Sequence, residues 1–509
     1  MKIVNKGRVL LCVFLILLCL PLVVQVTPVS AQVNEITLPR STEPRQISLT
    51  ENDSVFGVCY LPPYSQSQTL DRALAWRRID TLWDDIQENE TTWDWSRYDS
   101  DTNASEASNL FQIVLLVYGN ENLPGGQPKF VPSSQLDYWE EFVRNLVQRY
   151  KDYDSIIAYE VWNEANIDSF WTGDMRDYAK LLARTCKAIR EEDPDALILG
   201  SGTASSVQAK LGPNEVFYEQ LFKWNQSDPE FQGKLDFDVV AVHAYLNNPV
   251  QYRELIQRQK DLCDKYNFDW SPNPNSTRFQ DKFSKIWVTE IGFGGNSSIP
   301  RELNRQQQQT IKAATIGYFE NLGRHLIYQW KWDETWVIEG KPVMDAIDTI
   351  FPIWKNSTPF ESFSHINDHL YKTNTFNLYA AETWDGKIAI GYWDEQTEGT
   401  SFDVVINTRT TSIDKIWLPN FSWEYTDFEF QEGDAFNQTR IKNLIVENDF
   451  QMLLITPDEK IDSIKIIVEL TPDIVMIYYI LPVLMAFSVV ITGLNLIKNR
   501  KKVKERELK

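Results

Sequence analysis

Cysteine and histidine are scarce in these 509 residues, with five of the first and four of the second. Cys12 and Cys19 fall in an apolar N-terminal run, which leaves Cys59, Cys186 and Cys263. Three allow at most one internal bridge, so disulfides do not hold this fold. Among the histidines only His365 and His369 have the spacing of a ligand pair, and they lie outside the motifs that carry chemistry; neither metal nor cofactor is expected. No internal repeat, low-complexity tract or Gly-rich phosphate loop is present. Positive charge is also short: 50 Lys and Arg stand against 71 Asp and Glu, for a net −21. The bases Lys2, Lys6 and Arg8 and a basic stretch over 498–509 put +3 and +5 at the two ends, which leaves −29 on residues 32–473. Such a surface repels phosphates and excludes nucleic acid as a partner. The remainder is globular in composition, 43% hydrophobic and 24% charged with 18 Trp, enough for one large domain and a smaller one.

Both ends carry membrane signals. A basic start, the apolar run Val9–Val26 and the small residues Val29-Ser30-Ala31 predict a signal peptide over 1–31, with an uncleaved anchor as the alternative. Near the other end, Ile474–Ile497 is 24 residues without a charge. At 1.5 Å per residue it reaches about 36 Å, enough to cross a hydrocarbon core of about 30 Å. Lys498-Asn499-Arg500-Lys501-Lys502 follows, which predicts a single-pass protein with a cytoplasmic tail over 498–509 and the rest outside the cell. Lipid bilayer is thus one expected partner. Nine Asn-x-Ser/Thr sequons (Asn52, Asn89, Asn103, Asn225, Asn275, Asn296, Asn356, Asn420 and Asn437) all fall in the outer segment.

After a linker expected over 32–53, apolar runs alternate with amphipathic stretches. Strands are predicted at Val55–Tyr60, Ala75–Asp80, Phe111–Tyr118, Ile156–Trp162, Ala196–Gly200, Val239–Tyr245, Lys285–Ile291 and His325–Trp332. Between the fourth and fifth, Tyr178, Leu181, Leu182, Thr185 and Ile189 share one helical face before Pro194 ends it. Eight strands with helices between them predict an α/β fold, a (β/α)₈ TIM barrel over 54–373, with a doubly wound open sheet as the competitor. Over 374–470 the period changes to short strands separated by turns, such as Trp384-Asp385-Gly386, which predicts an antiparallel β-sandwich.

In such barrels reactive groups come from the C-terminal ends of strands. The fourth strand ends Tyr159-Glu160-Val161-Trp162-Asn163-Glu164, and alternation puts Glu160, Trp162 and Glu164 on one face. The seventh ends Trp287-Val288-Thr289-Glu290, with Ile286, Val288 and Glu290 expected together. Two opposed carboxylates are what glycoside hydrolysis requires, one as proton donor and one as nucleophile or base. Arg78, expected to face in with Trp76 and Asp80, could hold a carboxylate ionised. His243 and Tyr245 could hydrogen-bond Glu290, and Trp330 and Trp332 offer flat faces for sugar rings.

Tyr159–Asn166, Phe170-Trp171-Thr172-Gly173 and Tyr178-Ala179-Lys180-Leu181-Leu182 resemble the acid/base segment of clan A glycoside hydrolases, most like family 39 (β-xylosidases and α-L-iduronidases) and next family 5. Arg78-Ile79-Asp80, His243-Ala244-Tyr245 and Trp287-Val288-Thr289-Glu290 fit the same clan, over about residues 54–335. The resemblance implies a retaining mechanism with Glu164 as acid/base and Glu290 as nucleophile. It also implies that Asn163 binds the 2-hydroxyl of the sugar and that Tyr245 contacts the nucleophile. Ala165 departs from the family's usual Pro, which removes no chemical group. The expected function is therefore an extracellular, membrane-anchored retaining glycosidase acting on carbohydrate. The alternatives are a catalytically inactive carbohydrate-binding protein and a structural cell-surface protein.

Overall fold

The computed structural model describes residues 33–40, 54–59, 74–204, 214–245, 249–271, 284–292, 300–320, 324–327, 349–355, 357–360, 376–394, 401–417, 422–425, 438–445 and 449–469. In chain order, β1 is Val33–Pro39, β2 Phe56–Cys59, β3 Trp76–Leu82, β4 Phe111–Val117 and β5 Ile156–Val161. They are followed by β6 (Leu197–Leu199), β7 (Thr203–Ala204), β8 (Val240–Ala244), β9 (Ile286–Ile291) and β10 (Arg324–Ile327). Strands β2 to β10 form one parallel sheet in the order β6-β5-β4-β3-β2-β10-β9-β8-β7. Its two ends, β6 and β7, are halves of one broken fifth strand. Leu199 pairs with Val239 on one side and Gly202 with Asn163 on the other, so the sheet closes into a barrel. The TIM barrel expected from the strand count is what forms, and the open-sheet competitor is excluded by that closure.

The inward rows are split by height. The floor is apolar: Cys59, Trp76, Ile113, Ala158, Leu197, Val239, Ala241 and Trp287 form a cluster in which the Trp76 and Trp287 rings meet edge to face at 5.3 Å. Each indole N–H has a backbone acceptor, Ser54 O at 2.9 Å and Ser284 O at 2.8 Å, so these large rings bury no orphan donor. Gly57 is required beside Trp76, because a Cβ there would sit 2.5 Å from the Trp76 carbonyl oxygen. Outside the barrel, the helix Met175–Glu192 begins with an Asp174/Asp177 capping box, and its expected apolar face is buried throughout.

The following strands build the second domain: β11 (Thr358–Pro359), β12 (Phe376–Glu382), β13 (Ile388–Asp394), β14 (Ser401–Ile406), β15 (Thr410–Trp417), β16 (Ser422–Tyr425), β17 (Thr439–Ile445), β18 (Gln451–Pro457) and β19 (Ser463–Glu469). They make a four-stranded sheet, β1-β19-β14-β17, and a six-stranded sheet, β11-β12-β13-β18-β15-β16. All pairs are antiparallel, and Ile36, Leu38, Leu378, Ile390, Val404, Leu453 and Ile466 fill the space between the sheets. The opposite face of the six-stranded sheet lies on the barrel. Tyr379, Trp393 and Phe450 pack with Phe319 and Trp354, and Gln308 accepts from the Phe450 amide at 2.7 Å. The sandwich is thus a packing partner of the barrel.

The linker expected over 32–53 is corrected in part. Val33–Pro39 is a strand whose partner, β19, lies more than 400 residues later, in the register Val33↔Glu469 to Pro39↔Ser463. Among its described side chains Ile36 and Leu38 carry the inward pattern, too short a run to stand out beside a distant partner. Among the described residues no helix is long and apolar enough to cross a membrane. The expected signal (1–31), membrane helix (474–497) and tail (498–509) lie outside those residues, as do Trp330, Trp332, His365 and His369. Of the sequons, Asn89 and Asn103 are exposed and Asn225 is half-buried; the other six lie outside.

Candidate active site

Two backbone irregularities bring the carboxylates together. Along β5 the alternation holds to Val161, with Ala158 and Glu160 inward and Tyr159 and Val161 outward. Trp162 then takes φ +72° and Glu164 φ +44°, a left-handed conformation that non-glycine residues adopt at a cost. The result corrects the expected face. Trp162 swings into the outer core against Trp139 and Trp171, while Asn163 and Glu164 turn to the barrel mouth. Glu164 is held there by its amide to Gly202 O at 2.9 Å, and Asn166 clamps the Ala204 amide and carbonyl.

On β9 the second irregularity does similar work. Ile286 and Val288 face outward and Trp287 inward, so the predicted Ile286–Val288–Glu290 row is also corrected. The β8–β9 register shifts between Val242 and His243, so that His243 pairs with Glu290. Both Thr289 and Glu290 consequently reach the interior, Thr289 Oγ1 donating to Glu160 at 3.2 Å.

Arg78 organises this upper layer from β3. Its Nη1 donates to Glu290 Oε1 at 2.6 Å, and its Nε and Nη2 bind Glu160 in a fork at 2.6 and 3.1 Å. Nη2 also reaches Asn163 Oδ1 at 3.1 Å. Glu160 is wholly buried and accepts a further bond from the Gly202 amide at 2.9 Å. It is the fixed counter-ion of Arg78, a role its position on the strand did not announce. Tyr245 donates to Glu290 Oε2 at 2.6 Å, as expected. His243, expected on Glu290, instead has Nδ1 2.9 Å from Glu164 Oε1 and 3.4 Å from Glu290 Oε2, because the register shift sets it between the two. Tyr118, another residue without a signal in the sequence, hydrogen-bonds Asn163 and stacks on Phe170 at 6.1 Å.

The electrostatics separate the two glutamates. Burial pushes the Glu164 carboxyl up to about 7, with Arg78 opposing only in part. Burial raises Glu290 too, but Arg78 and Tyr245 donate to both of its oxygens and favour its charged form, a support Glu164 lacks. Burial holds His243 down at about 4, neutral at physiological pH. Its Nε2 is buried against Gly202, where a Cβ would come within 2.3 Å, and has no partner among the described residues. A bare acceptor is tolerated there better than an orphan N–H, which places the ring proton on Nδ1, donating to Glu164. If Glu164 is protonated, Oε1 is then the acceptor, and the acidic proton sits on Oε2, free for a ligand.

Ligand atoms of Glu164, His243 and Glu290 lie within 4.8 Å of one another, a spacing a metal ion could bridge. Both Glu290 oxygens are already engaged, one by a guanidinium, and a cation there would meet the fixed charge of Arg78. The donor set suits proton transfer better than metal binding. Cys59 below it is no nucleophile: its thiol donates to Thr289 O at 3.2 Å, and burial pushes its pKa well up.

Residues 89–335 match the family model described as Cellulase (glycosyl hydrolase family 5). A β-xylosidase of Caldicellulosiruptor saccharolyticus is 37% identical over 100 residues, which span 18% of this chain and 20% of that protein. A family 39 glycoside hydrolase from the gut symbiont Bacteroides cellulosilyticus WH2 superposes with a TM-score of 0.56 at 17% identity, covering 81% of this chain and 83% of that one. A glucosidase from Croceicoccus marinus does so at 0.53 and 11% identity, covering 79% and 95%. The family model and the partial β-xylosidase match support the resemblance to clan A glycoside hydrolases read from the sequence, and the superposed structures, a family 39 enzyme among them, share its fold.

Proposed function

We propose that the protein is a retaining glycosidase that cleaves O-glycosidic bonds by double displacement. The observation that carries this is the unequal setting of two close glutamates. Glu290 holds two donors, 2.6 Å each, whereas Glu164 is buried and pushed up to about 7. Their approach within 4.8 Å fits the narrow spacing of retaining enzymes, about 5–5.5 Å, better than the about 6.5–9.5 Å that leaves room for an inverting water.

In the first step a Glu290 oxygen attacks the anomeric carbon and forms an ester. The bond to the leaving oxygen breaks as that oxygen takes the Glu164 proton. A water then gives a proton to ionised Glu164, and its oxygen displaces Glu290 with net retention. Arg78 holds Glu290 charged and aimed, and Asn163, fixed by Arg78 and Tyr118, presents its amide to the 2-hydroxyl. The β-xylosidase relative makes β-xylosides the first substrates to try.

The cellular setting belongs to the same proposal: catalytic domain outside the cell, one helix over 474–497 in the bilayer, and a basic tail inside. The β1–β19 pairing suits it, since Val33 and Glu469 lie side by side next to the expected cleavage site and anchor. The test is a panel of aryl glycosides with wild type, Glu164→Ala and Glu290→Ala, with added azide. Wild-type turnover, a retained glycosyl azide from Glu164→Ala and an inverted one from Glu290→Ala are expected. Sugar binding without turnover would leave a carbohydrate-binding protein on the same fold.

A further inference from the structure

Resting on the glycosidase reading, we propose that Asp80 is a substrate-binding residue that accepts hydrogen bonds from adjacent hydroxyls of a neutral sugar and excludes uronic acids from the site. Asp80 lies on β3 two residues after Arg78, on the same inward row and one step nearer the mouth. It is half-buried, and no described residue gives it a hydrogen bond or an ion pair, unlike the other carboxylates of this layer. It lies close enough to the catalytic groups to act electrostatically on the Tyr118 phenol, which Glu290 and Arg78 also influence.

The charge balance of the pocket gives that free carboxylate its meaning. Arg78 has its Nε, Nη1 and Nη2 spent on Glu160, Glu290 and Asn163. His243 is neutral, and among the described residues no other cation faces the two glutamates. With Glu164 protonated, Arg78 is already paired with two carboxylates, Glu160 and Glu290, and Asp80 adds a third acidic group to the same layer. A carboxylate is an acceptor only, with two oxygens set to receive two parallel donors. Neighbouring sugar hydroxyls supply such donors and bring no charge. A uronate would set a second anion beside Asp80 and Glu290 in a site of low dielectric, with no free described cation to meet it.

The experiment compares 4-nitrophenyl β-xyloside and β-glucoside with the β-glucuronide, using wild type, Asp80→Asn and Asp80→Ala. In parallel, saturation-transfer NMR follows binding of the methyl β-xyloside and methyl β-glucuronide. The wild type is expected to take the neutral glycosides alone. Asp80→Ala is expected to lower their kcat/KM by about a hundredfold, the scale of two charge-assisted hydrogen bonds. Asp80→Asn, of the same shape, is expected to move the glucuronide-to-glucoside ratio at least about tenfold toward the glucuronide; partial unfolding would not move that ratio. An unchanged ratio, or a wild type that prefers the glucuronide, overturns the proposal. If no glycoside is turned over, the glycosidase reading fails, and NMR still decides Asp80: binding of the neutral glycoside lost in Asp80→Asn supports it, and binding unchanged, or no sugar bound by wild type, overturns it.

Discussion

On the floor of the barrel Trp76 and Trp287 pack ring against ring at 5.3 Å; one step higher on the same two strands, Arg78 and Glu290 meet at 2.6 Å. The two layers share strands, register and near-complete burial, and differ in what burial does. Below, apolar area removed from water stabilises the fold directly. Above, the same removal from water works against every charge, and the layer stands only because Arg78, Glu160, Thr289, Tyr245 and the Gly202 amide answer one another. The floor also closes the site from beneath, and dry burial is what raises Glu164 to the pKa an acid catalyst needs.

That contrast can be broken from either layer. The largest effect is expected from Glu290→Ala, with kcat falling on the order of 10⁴-fold while thermal unfolding moves little, checked by steady-state kinetics beside calorimetry. Next, Arg78→Lys keeps the charge but cannot fork between Glu160 and Glu290. A loss in kcat/KM on the order of 10²-fold or more is expected, and a loss below about threefold would show that charge alone suffices. Trp287→Ala should behave in the opposite way, losing about 3–5 kcal/mol of stability in denaturant titration while the folded fraction keeps most of its turnover. If it lost turnover at unchanged stability, the division between layers would be wrong.

The pH dependence is subtler. Glu164 must carry its proton to act as acid, so kcat/KM is expected to fall as pH rises through about 7, and Glu164→Gln should abolish that limb. The same raised pKa adds stability that is fully present below the ordinary carboxylate range and is lost as pH rises through about 7. The smallest effect belongs to the surface. The exposed Arg97–Asp85 pair, 2.7 Å apart, is expected to contribute less than about 0.5 kcal/mol, read from Asp85→Ala by thermal melting.

Most of the barrel was legible because each strand carries a continuous apolar run close to its neighbours in sequence. β5 was expected at Ile156–Trp162 and runs Ile156–Val161. Glu164 and Glu290 were legible as strand-end carboxylates, and Arg78 as an inward residue of the second strand. Their facing was not, because alternation assumes regular backbone, and both Trp162 with φ +72° and the shifted β8–β9 register break it. Glu160 and Tyr118 gave no local sign, since a counter-ion and a side-chain clamp are defined by partners on other strands. β1 escaped for the same reason, its partner β19 lying at the far end of the chain.

The central claim is that Glu290 and Glu164 are nucleophile and acid/base of a retaining reaction. Proton NMR of the first sugar released from a wild-type digest of an aryl glycoside, recorded before mutarotation, tests it most directly. The substrate's own anomeric configuration in that product is predicted. The opposite anomer would mean that water, not Glu290, attacks the sugar, and would contradict the account.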